Sequence, residues 1–119
     1  MHNEWPKPRP REVTQEIAEV IAGSHKSLLN HIRANDGDLA WARELGRIIA
    51  YSDYLAKAPY DDFSQQTAGI MTDEARMQIE PDEEALWTTL QRAYNYRARE
   101  LGVTKKTRLN RIEALRRPI

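Results

Sequence analysis

Apolar residues recur along most of this chain at the spacing of an α-helix, and this periodicity limits the fold more than any other feature. Between residues 38 and 57 the apolar side chains return every three or four positions, and residues 82–101 repeat the pattern. No segment alternates apolar and polar residues as a half-buried strand does. The pattern therefore predicts an all-α protein, a single-domain bundle of four or five helices.

Prolines, glycines and small polar residues divide the pattern into segments. Three alternating prolines lie in residues 1–10, which are expected to form an extended N-terminal arm ahead of one helical domain at residues 11–119. The first helix is expected to end at about Ala34. A break at Gly23-Ser24, with the serine capping a new helix, is an open alternative.

Residues typical of helix starts predict where the second and later helices begin. Asp38 is a plausible N-cap for the second helix, and residues 59–69 are expected to form a loop after Pro59. Thr72 looks like the cap of a short helix that ends near Ile79. The next helix is expected over residues 82–101, where acidic residues complement the positive end of the helix dipole.

The net charge of the 119 residues is zero, but acids and bases are segregated along the chain. Residues 58–84 carry eight acidic and one basic side chain, whereas residues 85–119 carry nine basic and two acidic ones. This asymmetry indicates either an anionic partner for the basic end or an electrostatic pairing between the two ends, within or between molecules.

Several classes of function find no support. The chain has no cysteine, no glycine-rich phosphate loop and no serine in a nucleophile context, so we expect no enzyme and no cofactor. His25 and His31 diverge by about 120° on a helix, which argues against a metal site, and His31 is expected to be a partly buried core residue. No apolar run is long enough for a membrane helix, and a cytoplasmic location is expected.

The most informative stretch is ARELGVTKKTRLNRIEALRR, residues 98–117. Ala98 is a small residue in one helix, Gly102 can end that helix, and Thr104 can cap a second helix that continues to about Arg117. The string LGVTKKT resembles the turn of bacterial helix-turn-helix DNA-binding proteins, including Fis-like C-terminal modules. The resemblance covers about 20 residues, and Arg108 departs from it, because that position is usually apolar and buried.

The resemblance implies that residues at and after the cap touch phosphates and base edges. These would be Thr104, Lys105, Lys106 and Thr107. Independently of the resemblance, Asn110 and Arg111 are expected on the outer face of the second helix, with side chains suited to adenine and guanine edges. Arg92, Tyr96 and Arg99 form an outward stripe on the preceding helix, able to meet phosphates or stack on an exposed base.

The sequence thus favours a small helical protein that binds DNA or RNA through its basic C-terminal helix pair, with a protein partner or a homo-oligomer such as a dimer also expected. The alternative is a non-catalytic adaptor, or a small helical subunit of a larger protein or nucleoprotein complex. An adaptor would use its acidic middle and basic end to engage a partner or each other, and a subunit of a nucleoprotein complex would bind single strands through Arg92, Tyr96 and Arg99 better than duplex. A third reading is that all of these basic surfaces are ordinary solvated helix faces.

Overall fold

The fold was analysed in a computed structural model that describes residue 23, residues 26–35, residues 38–55 and residues 62–116. The predicted proline-rich arm, the Gly23-Ser24 break and His25 fall in or at the edge of the remaining segments, outside the described residues.

Helical residues at 23 and 26–34 belong to a first segment, α1, and five helices with defined bounds follow it in the described chain. These are α2 at Leu39–Leu55, α3 at Asp62–Gln78, α4 at Glu84–Glu100, α5 at Lys105–Arg108 and α6 at Arg111–Arg116. Among the described residues, no helix is both long and apolar enough to cross a bilayer. The all-α prediction is confirmed, since the described residues contain no strand.

Helices α2 and α4 form the centre of the bundle, and their apolar faces supply most of the core. Trp41, Leu45 and Ile48 of α2 are buried, as the sequence periodicity predicts. On α4 the buried side chains include Trp87 and Tyr94. Residues of α1, α3 and α6 complete the same cluster, for example Ile32, Met71 and Ile112. His31 on α1 is exposed, so the prediction of a core histidine is wrong.

Helix α3 differs from the prediction, because residues 62–69 are helical rather than part of a loop. Thr72 is therefore not a cap. It lies inside α3, and its hydroxyl donates a hydrogen bond to the carbonyl of Ala68 at 2.8 Å. The buried face of α3 is built from small or flexible side chains, including Ala68, Met71 and Ala75. Such a face produces a weak apolar pattern in the sequence.

The turn between α3 and α4 is fixed by hydrogen bonds from two side chains, those of Asn35 and Trp87. Asn35, at the end of α1 with a φ of 42°, donates to the carbonyl of Gln78 at 3.0 Å and to the Glu83 carboxylate at 3.3 Å. The buried Trp87 indole donates to the carbonyl of Glu80 at 2.9 Å. These bonds explain why α4 begins where the acidic Pro-Asp-Glu-Glu segment predicts.

The C-terminal segment confirms the predicted turn but not the predicted length of its second helix. Gly102 has a φ of 81°, and the Thr104 side chain accepts a hydrogen bond from the backbone N–H of Thr107. The prediction of one continuous helix from Thr104 to about Arg117 is wrong. The segment divides into α5 and α6 at Leu109 and Asn110, where Asn110 takes a left-handed φ of 62°, a conformation that asparagine tolerates better than most residues.

Gly46 allows α2 and α4 to approach each other to backbone contact. A Cβ at this position would overlap the carbonyl oxygen of Leu90 and lie 2.9 Å from both the Ala93 Cβ and the Tyr94 N. Two of these three neighbours are backbone atoms, which cannot rotate away as a flexible side chain could. The missing side chain is therefore a packing requirement of the α2–α4 pair.

Replacing Gly46 with alanine should destabilise the protein by about 2 kcal/mol, because overpacking outweighs the usual gain in helix propensity. Gly69 in α3 is a matched control, since a Cβ there meets nothing within 4 Å. Gly69→Ala should instead stabilise by about 1 kcal/mol. Urea unfolding followed by circular dichroism measures both. Equal effects of the same sign would contradict the close approach of the helices.

Candidate functional site

A groove with a cavity volume of about 580 Å³ lies between the outer faces of α2 and α4. We call it the arginine groove, because four arginines from the two helices line it. Its main polar and aromatic residues are Arg43, Arg47, Arg92, Tyr96, Arg97 and Glu100. Four guanidinium groups and one carboxylate give this concave surface an excess of positive charge, which favours anions over cations.

Helix periodicity explains why α2 contributes two of these arginines. Arg43 and Arg47 are four residues apart and therefore share one side of α2, away from the buried face that carries Leu45 and Ile48. Because α4 packs beside α2, this side of α2 becomes one wall of the arginine groove. Thr89, Arg92 and Tyr96 contribute to the other wall.

Arg97 is held by three contacts on the α2 side of α4. Its Nε donates to the hydroxyl of buried Tyr51 at 3.0 Å, and its guanidinium carbon lies 5.3 Å from the centroid of the Tyr51 ring. Its Nη1 donates to Glu100 at 2.5 Å. The hydrogen bond to Glu100 is the largest cause that raises the pKa of Arg97. Arg97 is thus a fixed cation whose charge is partly balanced by Glu100.

The other arginines of the groove differ in how they are balanced. Arg47 pairs with Glu44 at 3.0 Å, one turn earlier in the same helix. In the described part of the chain, no acidic side chain forms an ion pair with Arg43 or Arg92, both of which are exposed. These two guanidinium groups are available to an external anion, and each can hold a phosphate oxygen with charge-assisted hydrogen bonds.

Tyr96 is the aromatic residue of the groove, and 69% of it is exposed. It lies one turn after Arg92 on α4, so the two side chains are neighbours on the helix surface. An aromatic ring left this open contributes little to the core. It offers a flat face for stacking next to a cation.

The nine residues predicted from the sequence do not converge on one place. Arg92 and Tyr96 line the arginine groove, and Arg99 is exposed on α4 without lining it. Thr104 and Thr107 are used in the cap of α5, where their hydroxyls lie 3.1 Å apart in a hydrogen bond. Lys105 and Lys106 are exposed on α5.

Lys105, Asn110 and Arg111 line a second, smaller cavity of about 210 Å³ between α4 and the C-terminal helices. Arg108, which departs from the helix-turn-helix pattern, also lines it, and its Nε donates to the carbonyl of Val103 at 3.1 Å. That bond pairs a backbone carbonyl at the turn and holds the partly buried Arg108 side chain where the pattern has an apolar residue.

Arg111, the first residue of α6, is turned inward to a polar node that it forms with Asp53 near the end of α2 and Tyr94 in the middle of α4. Its Nε donates to both carboxylate oxygens of Asp53, at 3.2 and 3.0 Å. The hydroxyl of buried Tyr94 donates to the same carboxylate at 2.6 Å. Burial, and then the hydrogen bond to Asp53, raises the pKa of Tyr94 above its usual value. The node fastens α6 to α2 and α4, which leaves less of Arg111 for an external ligand.

Arg116 makes a second connection from the C-terminal helix to the acidic part of the chain. Its Nε donates to the carbonyl of Pro81 at 2.8 Å, and its guanidinium group pairs with the Glu84 carboxylate. Part of the segregated charge seen in the sequence is therefore balanced inside the molecule.

Comparison with protein-family models, with curated proteins and with solved structures finds no match to this chain. No group of three or more His, Cys, Asp or Glu side chains in the described ranges is placed to hold a metal ion. The arginine groove is therefore the feature of the described residues that bears most directly on function.

Sequence reasoning missed Arg43, Arg47 and Arg97 as members of a common site. The spacing of Arg43 and Arg47 shows that they share a face of α2. The missing information was which neighbour that face would meet. The close contact of α2 and α4 at Gly46 supplies it.

Replacing Asp53 with asparagine should cost about 2 kcal/mol in the free energy of unfolding, because a charged hydrogen-bond network with only 11% of the Asp53 side chain exposed loses its anion. Asp73→Asn is the matched control. Asp73 is 73% exposed and its contact with Arg76 is 3.9 Å long, so its loss should cost less than about 0.5 kcal/mol. Chemical denaturation of both variants checks this. An equal, small effect would contradict a structural role of the node.

Proposed function

We propose that this protein binds nucleic acid, and that the arginine groove is its main binding surface. The observation that supports the proposal is the convergence of Arg43 and Arg92 on one groove beside an exposed tyrosine; both arginines are exposed and form no ion pair with another described residue. Arginine matches phosphate geometry with two parallel hydrogen bonds, and aromatic rings stack on bases. This combination is typical of nucleic-acid surfaces and less typical of a solvated helix face.

The charge balance of the groove favours a polyanion over a single small anion. Two of its cations, Arg47 and Arg97, are partly neutralised by Glu44 and Glu100. Arg43 and Arg92, which have no acidic partner among the described residues, come from different helices and so can hold separate phosphates. Exposed Arg99, Lys105 and Lys106 extend the positive potential along α4 and α5.

The helix-turn-helix form of the proposal, in which residues 98–117 read DNA, has less support. Helices α5 and α6 have four and six residues, whereas a helix-turn-helix protein places one continuous recognition helix in the major groove. Arg111 is also engaged by Asp53. We therefore assign Thr104, Lys105, Lys106, Thr107 and Asn110 to a flanking contact at most, with the turn at Gly102 as a structural element.

A second candidate function is that of a protein-binding adaptor or homo-oligomer, and one observation favours it. Ile70 and Met77 on α3 are 51% and 70% exposed and lie two turns apart on one face of the helix. If this face is the functional one, Ile70→Gln with Met77→Gln should abolish self-association detected by light scattering. The arginine variants should then leave that association unchanged.

The nucleic-acid proposal predicts that Arg43→Ala and Arg92→Ala each weaken binding roughly tenfold, since each removes a charge-assisted phosphate contact. Each should also lower the slope of log affinity against log salt by about one unit. Fluorescence anisotropy with a labelled oligonucleotide over a salt series, starting at about 50 mM, measures both quantities.

Arg76→Ala is the matched control for charge. Arg76 lies on α3, pairs with Asp73 and is not part of the groove, so its loss should leave the affinity nearly unchanged. If Arg76→Ala weakens binding as much as Arg92→Ala, the protein attracts nucleic acid only through its overall charge. If no oligonucleotide binds at about 50 mM salt, the proposal fails.

A further inference from the structure

We infer that the arginine groove takes single-stranded nucleic acid, with Tyr96 as a stacking platform for one base and the exposed arginines as phosphate contacts. This inference rests on the proposed function and specifies its ligand as a single strand. It also gives the Tyr96 ring a role in base stacking, which binding by charge alone would not need.

The concave shape of the site is the first argument. A duplex shows proteins its phosphates and groove edges, and an element that reads its major groove must protrude. The arginine groove is recessed between α2 and α4, and its volume of about 580 Å³ is within the range of small-ligand sites. A flexible strand can place a nucleotide in such a space, whereas a rigid duplex meets only the rim.

The distribution of charge within the groove is the second argument. Glu100 lies beside Arg97 on the same groove lining, so a phosphate placed there would meet a carboxylate. The guanidinium groups that form no ion pair within the described ranges belong to Arg43 and Arg92. This arrangement suits an uncharged base near Arg97 and Glu100, with phosphates at Arg43 and Arg92. Bases are available in that way only when they are unpaired.

The position of Tyr96 is the third argument. Tyr96 lies four positions after Arg92, so the two residues are about 6 Å apart along the axis of α4. A strand held at Arg92 can therefore lay an adjacent base on the ring. Because every base has a flat face, stacking of this kind tolerates many sequences and both sugars. RNA and DNA single strands share the chemistry that the groove recognises.

The test measures how tightly the full chain binds three labelled probes of about 12 nucleotides, a length within the site sizes of known single-strand binders. They are a mixed-sequence DNA strand, the RNA strand of the same sequence, and the DNA strand annealed to its complement. Fluorescence anisotropy at about 50 mM salt gives the affinities. At least one single strand should bind at least about fivefold more tightly than the duplex.

Tyr96→Ala should weaken single-strand binding by roughly 5- to 150-fold, the range measured for loss of one base stack. Tyr96→Phe keeps the ring and should stay within about twofold of the parent protein. Leu109→Ala is the control for truncating an exposed apolar side chain, because Leu109 is 64% exposed and lies outside the groove. Circular dichroism of each variant shows that the fold is retained.

The outcomes separate this inference from the proposed function. If Arg43→Ala and Arg92→Ala weaken binding but the duplex binds as tightly as the single strands, the inference is overturned and the proposed function stands. The same holds if Tyr96→Ala, correctly folded, binds single strands as the parent protein does. If no probe binds at all, both fail.

Discussion

The close contact of α2 and α4 at Gly46 is the constraint on which the rest of the structure depends. Any side chain at this position would overlap the backbone of α4. With the two axes held together, Trp41, Leu45 and Trp87 enter one core on one side of the pair. On the opposite side, the same contact sets Arg43 and Arg92 across a single groove. One glycine thus determines both the packing of the bundle and the geometry of its most basic concave surface.

The basic residues of the chain fall into two groups in the fold, those held in internal ion pairs and those without an acidic partner among the described residues. Arg111 and Arg116, near the C-terminus, are bound by Asp53 and Glu84 and serve to fasten α6. On α2 and α4, by contrast, Arg43 and Arg92 have no acidic partner among the described residues. A basic sequence segment is therefore a poor guide to a binding surface, because internal ion pairs consume part of its charge.

The sequence was sufficient for much of the fold, and its failures have physical causes. The apolar faces of α2 and α4, the Asp38 and Thr104 caps, and the turn at Gly102 follow from local chemistry. Helix α3 was predicted to begin about ten residues too late, because its buried face relies on alanines such as Ala68 and Ala75. The second C-terminal helix was predicted as continuous, whereas burial of Ile112 and the Asp53 ion pair orient α6 separately from α5. Both errors arise from tertiary contacts that a helical wheel does not contain.

The candidate site was less predictable than the fold for the same reason. Arg92 and Tyr96 could be selected because they share an outward face of one helix. Their partners Arg43 and Arg47 lie about 45 residues earlier, and only packing brings them together. The sequence motif lies in residues 98–117, where most polar side chains take part in helix caps, hydrogen bonds to the backbone or ion pairs.

The central claim is that nucleic acid binds to the arginine groove and not to the C-terminal helix pair. The most direct measurement is a titration of isotopically labelled full-length protein with a single-stranded oligonucleotide, followed by two-dimensional NMR of backbone amides and arginine side chains. The account predicts that the largest shifts occur at Arg43, Arg92 and Tyr96, with smaller changes at Lys105 and Lys106. Shifts concentrated on α5 and α6, with the groove unaffected, would contradict it.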